Sequence, residues 1–409
     1  LIQRSDAIGF TGADLLAEEV GTAALLFWQA FRDVELWGRT TDRRDLFQPD
    51  GADLRADQIE QLDPIYGEVK STLKALLAVV RNPADADPVA IADHCSSVAV
   101  WFESRGNLRC AVDFAVAAFF ADSARAALAV RVARLTRMLA EYPRSTSWFD
   151  YSLYLARRLE DWQAYSEALL GLANLWFQVG NFPRARYYNR RCLRLVRRTP
   201  RLRHMGGAAY HNLFVLEMEA GNVELAETLA QKAFEFYGGE SPCLVRLARD
   251  LSHRWTVLGY FARALPLALE ALNHFSRPVD RAQVWAGVGR AAGGAGEFSI
   301  FEDAWIETWA LVRQGLAHPF AADVLMDLAH GAASLRDLQR ASHAATTALG
   351  IARERKEGHT ILAAEALLDS LRPVRNDAAA PAISSAATPT ASGVEAGLLR
   401  ALQAHRTAA

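Results

Sequence analysis

Six short segments of one pattern recur along this chain, and their spacing limits what it can fold into more than any other feature. Gly106-Asn-Leu-Arg-Cys-Ala111, Gly180-Asn-Phe-Pro-Arg-Ala185, Gly221-Asn-Val-Glu-Leu-Ala226 and Gly259-Tyr-Phe-Ala-Arg-Ala264 share Gly, a polar or aromatic residue, an apolar one, two variable ones and Ala. Gly296-Glu-Phe-Ser-Ile-Phe301 and Arg336-Asp-Leu-Gln-Arg-Ala341 are weaker copies. Counted at their last residues the copies stand 74, 41, 38, 37 and 40 residues apart, and 74 is two steps of 37, so one copy is hidden between the first two. A fixed period in the range of roughly 20–50 residues marks stacked supersecondary units that cannot bury their apolar faces alone.

Each copy lies between two stretches of helical periodicity. Tyr210, Leu213, Phe214 and Met218 precede the third, and Leu225, Leu229, Ala233 and Phe234 follow it. The unit is therefore helix–turn–helix. Gly supplies a left-handed residue that ends the first helix without a Cβ clash, and Asn tolerates the same region and bonds nearby backbone. The apolar residue pins the turn to the core, and the small Ala lets the second helix lie close to the first. The hidden unit is expected over Ala124–Arg158, with a break at Tyr142-Pro143-Arg144 where Pro stops the preceding helix. Upstream, Thr11–Trp37 and Ala56–Val80 read as two long amphipathic helices joined by a polar loop around 40–53. The expected organisation is an N-terminal helical cap at 1–87, about seven hairpins of almost no β structure at 88–372, an Ala/Pro/Ser/Thr-rich linker at 373–392 and a short helix at 393–409 that docks back or reaches a partner.

This arrangement resembles the tetratricopeptide repeat (TPR) family in a long-period bacterial form. There the turn reads Gly, polar, aromatic, and small residues recur in the second helix. Matching positions are Leu213, Ala226 and Ala233 in one unit, Leu251, Ala264 and Ala271 in the next, and Trp285, Gly289 and Phe298 in the one after. The resemblance covers Pro88–Leu371; it departs in a period above the usual 34 or so and in lacking a regular proline between units. It implies an all-α fold, a right-handed α-α superhelix in which TPR-like hairpins stack as a solenoid and first helices line a concave groove. Carried over unit by unit, the implied peptide-binding positions are Asn174 and Gln178 with Glu167, then His211 with Glu219, then Arg246, Arg249 and His253, then Arg290, and finally His330 with Asp323 and Met326. This is not the Lys/Asn clamp of the family's chaperone-tail binders. Arg246, Arg249 and Arg290 would instead present three cationic forks with few carboxylates nearby, suited to an acidic segment or a C-terminal carboxylate.

Composition and motifs narrow the function classes. A formal net charge of −2 gives no global pull toward nucleic acid or an anionic membrane. The most apolar stretch, Ala23–Phe31, is far shorter than the roughly 20 residues of a membrane span, so no membrane partner is expected. Cys95, Cys110, Cys192 and Cys243 form no CxxC pair and suit a reducing compartment, which places the expected location in the cytoplasm. Gly287-Val-Gly289-Arg-Ala-Ala292 has the letters of a dinucleotide fingerprint but follows no strand and falls inside a helix; Gly289 reads as a packing residue, and Gly293, Gly294 and Gly296 as loosening the helix end. No Gly-x-Ser-x-Gly elbow, P-loop or His-Glu-x-x-His pair occurs. Adjacent His94 and Cys95 lack the spacing for one metal, and neither a metal nor any other cofactor is expected.

Two binding functions remain, and an enzyme is not expected. The first is a protein- or peptide-binding scaffold, or the partner-sensing module of a bacterial regulatory system, where similar long-period arrays with runs such as Cys192-Leu-Arg-Leu-Val-Arg-Arg198 occur. The alternative is a nucleic-acid-associated protein using the arginines at 184–203, of which Arg190, Arg194, Arg197 and Arg201 would form an outward helical stripe. A solvated face is the plainer reading of that stripe, because interleaved aromatics are sparse.

Overall fold

The computed structural model describes residues 23–239, 243–317, 320–355, 357–372 and 393–408, and no strand occurs among them. The fold is all-α, an array of stacked helical hairpins. The chain forms two compact units, residues 1–205 and 206–409.

The first unit begins with α1 (Ala24–Arg39), α2 (Asp50–Glu60), α3 (Gly67–Leu76) and α4 (Ala78–Arg81). Three hairpins follow: α5 (Pro88–Ser104) with α6 (Leu108–Ala121), α7 (Ala126–Met138) with α8 (Tyr142–Arg158), and α9 (Trp162–Gln178) with α10 (Phe182–Arg198). The expected helix Thr11–Trp37 is described from Ala24 onward; its earlier part, like the stretch 373–392 expected as a linker, lies outside the described residues. The expected helix Ala56–Val80 is broken. Pro64 cannot continue α2, and Asp63 instead accepts a hydrogen bond from the Ile65 amide to start a short 3-10 turn before α3. α1 anchors the unit by packing Phe27 against Phe102 and Trp101 of α5, with ring centroids 4.9 and 5.7 Å apart.

The second unit holds most of α11 (Arg203–Glu219), paired with α12 (Val223–Tyr237), then α13 (Cys243–Val257) with α14 (Phe261–Leu272), α15 (Pro278–Ala295) with α16 (Phe298–Arg313), and α17 (Ala321–Ser334) with α18 (Leu338–Glu354). α19 (Gly358–Leu371) packs on α18, and α20 (Gly393–Ala408) lies against α12, α13 and α14.

One turn chemistry joins the helices of each hairpin. In each, an amide two or three residues past the helix end reaches back five residues: Asn107 to Phe102 O at 3.0 Å, Asn181 to Trp176 O at 2.8 Å, Asn222 to Glu217 O at 2.8 Å. The residue between is left-handed, for instance Gly180 at φ +79°. The Asn itself is not left-handed (φ −88° at Asn181); the Asn107 and Asn181 side chains cap the next helix, Asn181 accepting from the Arg184 amide at 3.1 Å, whereas Asn222 donates to Glu217 Oε2 at 2.8 Å. The hidden copy is the same turn. Ala140 takes the left-handed place at φ +60°, Glu141 donates to Thr136 O at 3.0 Å, and Ser145 takes the Ala position, fully buried. Pro143 therefore opens α8 in its first turn, where its missing amide is harmless, and is not the residue that stops α7.

Packing within and between hairpins depends on small residues. Ala111, Ala185, Ala226, Ala264 and Ala341 are all fully buried. Gly293 and Gly331 bring α15 and α17 into backbone contact, since a Cβ on Gly293 would lie 2.3 Å from Gly331 O and one on Gly331 would lie 2.5 Å from Gly289 O. Gly294 makes room for the Phe261 ring. These glycines thus close the array, and only Gly296, at φ +77°, serves the turn. Gly287–Ala292 sits inside α15, so it presents no strand-to-helix turn to a phosphate.

Candidate partner-binding face

Polar side chains on successive first helices of the second unit meet one another one repeat apart. His211 on α11 places Nε2 3.0 Å from Asp250 Oδ2 on α13, and its Nδ1 lies 3.3 Å from the Tyr237 hydroxyl. Arg249 donates to Asp250 Oδ1 through Nε and Nη2 at 3.0 and 2.9 Å and reaches Gln283 Oε1 on α15 at 3.3 Å. Arg290 donates to Asp327 Oδ1 on α17 at 2.8 Å, and Thr360 on α19 donates to Asp323 Oδ1 at 3.0 Å. The sequence separations are 39, 34, 37 and 37, the repeat period itself.

Charge in this ladder is compensated in place. Burial raises the cost of ionising Asp250, but the hydrogen bond from His211 and the Arg249 guanidinium outweigh it and hold the carboxyl well below the usual range. Burial, with Arg290 alongside, depresses the pKa of His330 and outweighs Asp327, which favours the neutral imidazole. A cleft of about 220 Å³ opens among α13, α15 and α17, lined by Arg249, Asp250, His253, Gln283, Asp323 and Asp327 among others. A larger cleft of about 450 Å³ in the first unit, beside Lys74, Arg81, Asp85 and His94, contains none of the expected site residues. The smaller one is the better candidate because polar groups from three repeats converge on it. Among the described residues no group of three or more His, Cys, Asp or Glu is placed to hold a metal ion.

No family model matches the sequence, and no curated protein matches it. Solved structures do. The APC/C heterotetramer Cut9–Hcn1 aligns at TM-score 0.50 and 15% identity over 86% of this chain and 63% of that one. The signal-transduction ATPase (STAND) protein PH0952 of Pyrococcus horikoshii, described as having a tetratricopeptide repeat sensor, aligns at TM-score 0.50 and 14% identity over 84% of this chain and 53% of that one. The chain has the tetratricopeptide-repeat fold. It spans somewhat more than half the length of each of these two proteins.

Within the TPR array the expected groove residues separate into three groups. Arg249 and His253 line the cleft and Arg290 borders it through Asp327, one turn before His330 on α17. His211 is buried, with both ring nitrogens facing protein partners, and Met326 lies in the core with Leu325 and Trp309, so neither presents a groove surface. Arg246 is exposed, its Nη2 3.2 Å from Cys243 Sγ, and Glu219 pairs with Arg254. In the first unit Asn174 and Glu167 are half-buried on α9, and Gln178 accepts from Arg137 at 2.8 Å.

The expectation of cationic forks with few carboxylates nearby is overturned. Arg249 meets Asp250, its neighbour on the same helix, and Arg290 meets Asp327, which stacking brings alongside from one period away. Sequence reading missed Asp250, Gln283, Asp327 and Thr360. The available signal was a charged or polar residue 34 to 39 positions from each groove candidate. The α10 stripe is as expected: Arg190, Arg194 and Arg197, with Arg201 just beyond, are exposed, while Cys192 and Val196 face the core.

Proposed function

We propose that this chain is a protein-binding scaffold that holds an extended peptide segment of its partner across the first helices of the second unit, over the cleft among α13, α15 and α17. In this reading residues 1–87 cap the array at 88–372, and 373–392 link it to a helix at 393–409. The observation that carries it is the convergence of donors and acceptors from three repeats on one open cleft, with His253 and Asp323 exposed at its edge. Such a rigid, pre-arranged surface lets a peptide bind with little ordering of the receptor. Three carboxylates with Arg249 and the bordering Arg290 leave one in excess, which favours a segment of mixed charge, with a cationic or amide group facing Asp323, over a purely acidic one. A partner-sensing role in a bacterial regulatory system is the finer form of the proposal, and the sensor repeats of the Pyrococcus horikoshii protein have the same fold.

Peptides selected from a displayed random library on the full chain test it. Binding should fall by roughly 30-fold, about 2 kcal/mol, in the His253→Ala/Asp323→Ala chain, and stay unchanged in Arg194→Ala/Arg197→Ala. The opposite ranking, with steep loss of binding in salt, would refute the cleft and favour the α10 stripe as a phosphate-binding face.

A further inference from the structure

The C-terminal helix covers a surface that the rest of the array leaves unusually apolar. α14 has eight of its twelve residues buried, including the charged Arg263 and Glu270, whereas α12 buries four, all apolar. α20 adds to the cover over this face: its Val394, Leu398 and Leu402, four residues apart, are at most 2% exposed. These three form one stripe of an amphipathic helix. Gly397 lies over Phe234, whose ring atoms a Cβ would approach to 3.1 Å, so this register favours a residue without a side chain. At the start of α20, Glu395 accepts from Arg263 Nε at 2.8 Å, and both side chains are 4% exposed.

Arg263 is held from three sides. Its guanidinium stacks over the Trp255 ring at 4.0 Å and donates to Glu227 Oε1 at 2.9 Å as well as to Glu395. With Glu395 withdrawn, Glu227 would still neutralise it, so the site tolerates an empty state that an unpaired buried charge would forbid. A further polar tie runs from Arg406 to Glu270 at 3.9 Å. α20 packs on α12, α13 and α14 and follows a stretch, 373–392, of linker composition. A tethered helix of this kind occupies its site at high effective concentration without being part of the array's core.

We propose that the face of α12, α13 and α14 is an exchangeable helix-binding site, occupied in this chain by its own C-terminal helix and open in trans to a partner's amphipathic helix. The competing helix carries an apolar residue followed at once by Glu, a small residue two further on, and apolar residues four and eight positions after the first. The Glu is read by Arg263 and the small residue by Phe234. This site is built mainly on the second helices α12 and α14, and the α13 residue it uses, Trp255, is not among those lining the first-helix cleft, so either assignment can fail without the other.

The probe is a fluorescent synthetic peptide of residues 393–408 added to the full chain. Leu398→Asp with Leu402→Asp puts two charges on the buried stripe and evicts the tethered helix. That chain should bind the peptide at least tenfold tighter than wild type, and a peptide with Glu395→Gln should bind it at least tenfold more weakly. Equal binding by both chains, or indifference to Glu395, would overturn the proposal. Hydrogen exchange on the wild-type chain decides independently of any variant. Amides of 396–404 should exchange by local opening, well ahead of those in α13; exchange only with global unfolding would make α20 a fixed part of the core and overturn the proposal. Dimers that trade helices, seen by light scattering, would assign the site to a second copy and overturn the commitment to a separate partner.

Discussion

Two glycines on α15, six residues apart, should respond with opposite sign to the same substitution. Ala is favoured over Gly in a helix interior by about 1 kcal/mol, from reduced backbone freedom in the unfolded chain. At Gly287 a Cβ would meet nothing within 4 Å, so Gly287→Ala should gain most of that, about 0.5–1 kcal/mol. At Gly293 the new Cβ would sit 2.3 Å from Gly331 O and 2.6 Å from its C and Cα. All three are backbone atoms of α17 and cannot rotate aside. Ordinary contact then requires the two helices to part by about 1 Å, and overpacking of this kind costs about 1–3 kcal/mol. Taking the upper end and subtracting the propensity gain leaves Gly293→Ala about 2 kcal/mol less stable. With about 2–4 °C per kcal/mol for a unit of this size, its Tm should fall by about 4–8 °C while that of Gly287→Ala rises. Urea unfolding followed by circular dichroism at 222 nm gives the same comparison. A Gly293→Ala chain as stable as Gly287→Ala would refute the backbone contact between α15 and α17.

Two further outcomes follow from the buried groups. The folded pKa of Asp250 lies below its unfolded value near 3.9, so its contribution is full above about pH 4 and is lost as pH falls through the folded pKa; wild type should lose Tm more steeply than Asp250→Asn below pH 4, and parallel profiles would show that His211 and Arg249 do not hold the carboxylate. Burial pushes the Cys192 thiol up to about 12 and raises that of Cys95, and Cys110 is also buried, so a thiol reagent at pH 8 should modify one cysteine in the native chain, the half-buried Cys243, and four in denaturant; rapid native modification of Cys192 would contradict the packing of α10.

The hairpin was legible in the sequence because its chemistry is local. Gly for the left-handed residue, Asn or Asp for the cap and Ala for the close approach all act within six residues, so the Gly180–Ala185 pattern specifies a turn wherever it occurs. Even the hidden copy obeys it, with Ala140 and Ser145 in the places of Gly and Ala. The exposed arginines of α10 were legible for the same reason, since one helix has one periodicity. The candidate site was not. His211 and Arg249 read as groove residues from position alone, but what they do depends on Asp250 and Gln283, which stacking brings alongside. The docking of α20 was equally out of reach of local pattern, although α14, apolar almost all round from Phe261 to Leu272, carried the hint of a second covering layer. Turns and helix faces are set by neighbours in the chain, so sequence alone determines them. Charge pairing and coverage are set by which residues meet from one repeat to the next or from far apart in the chain, and only the tertiary structure decides that.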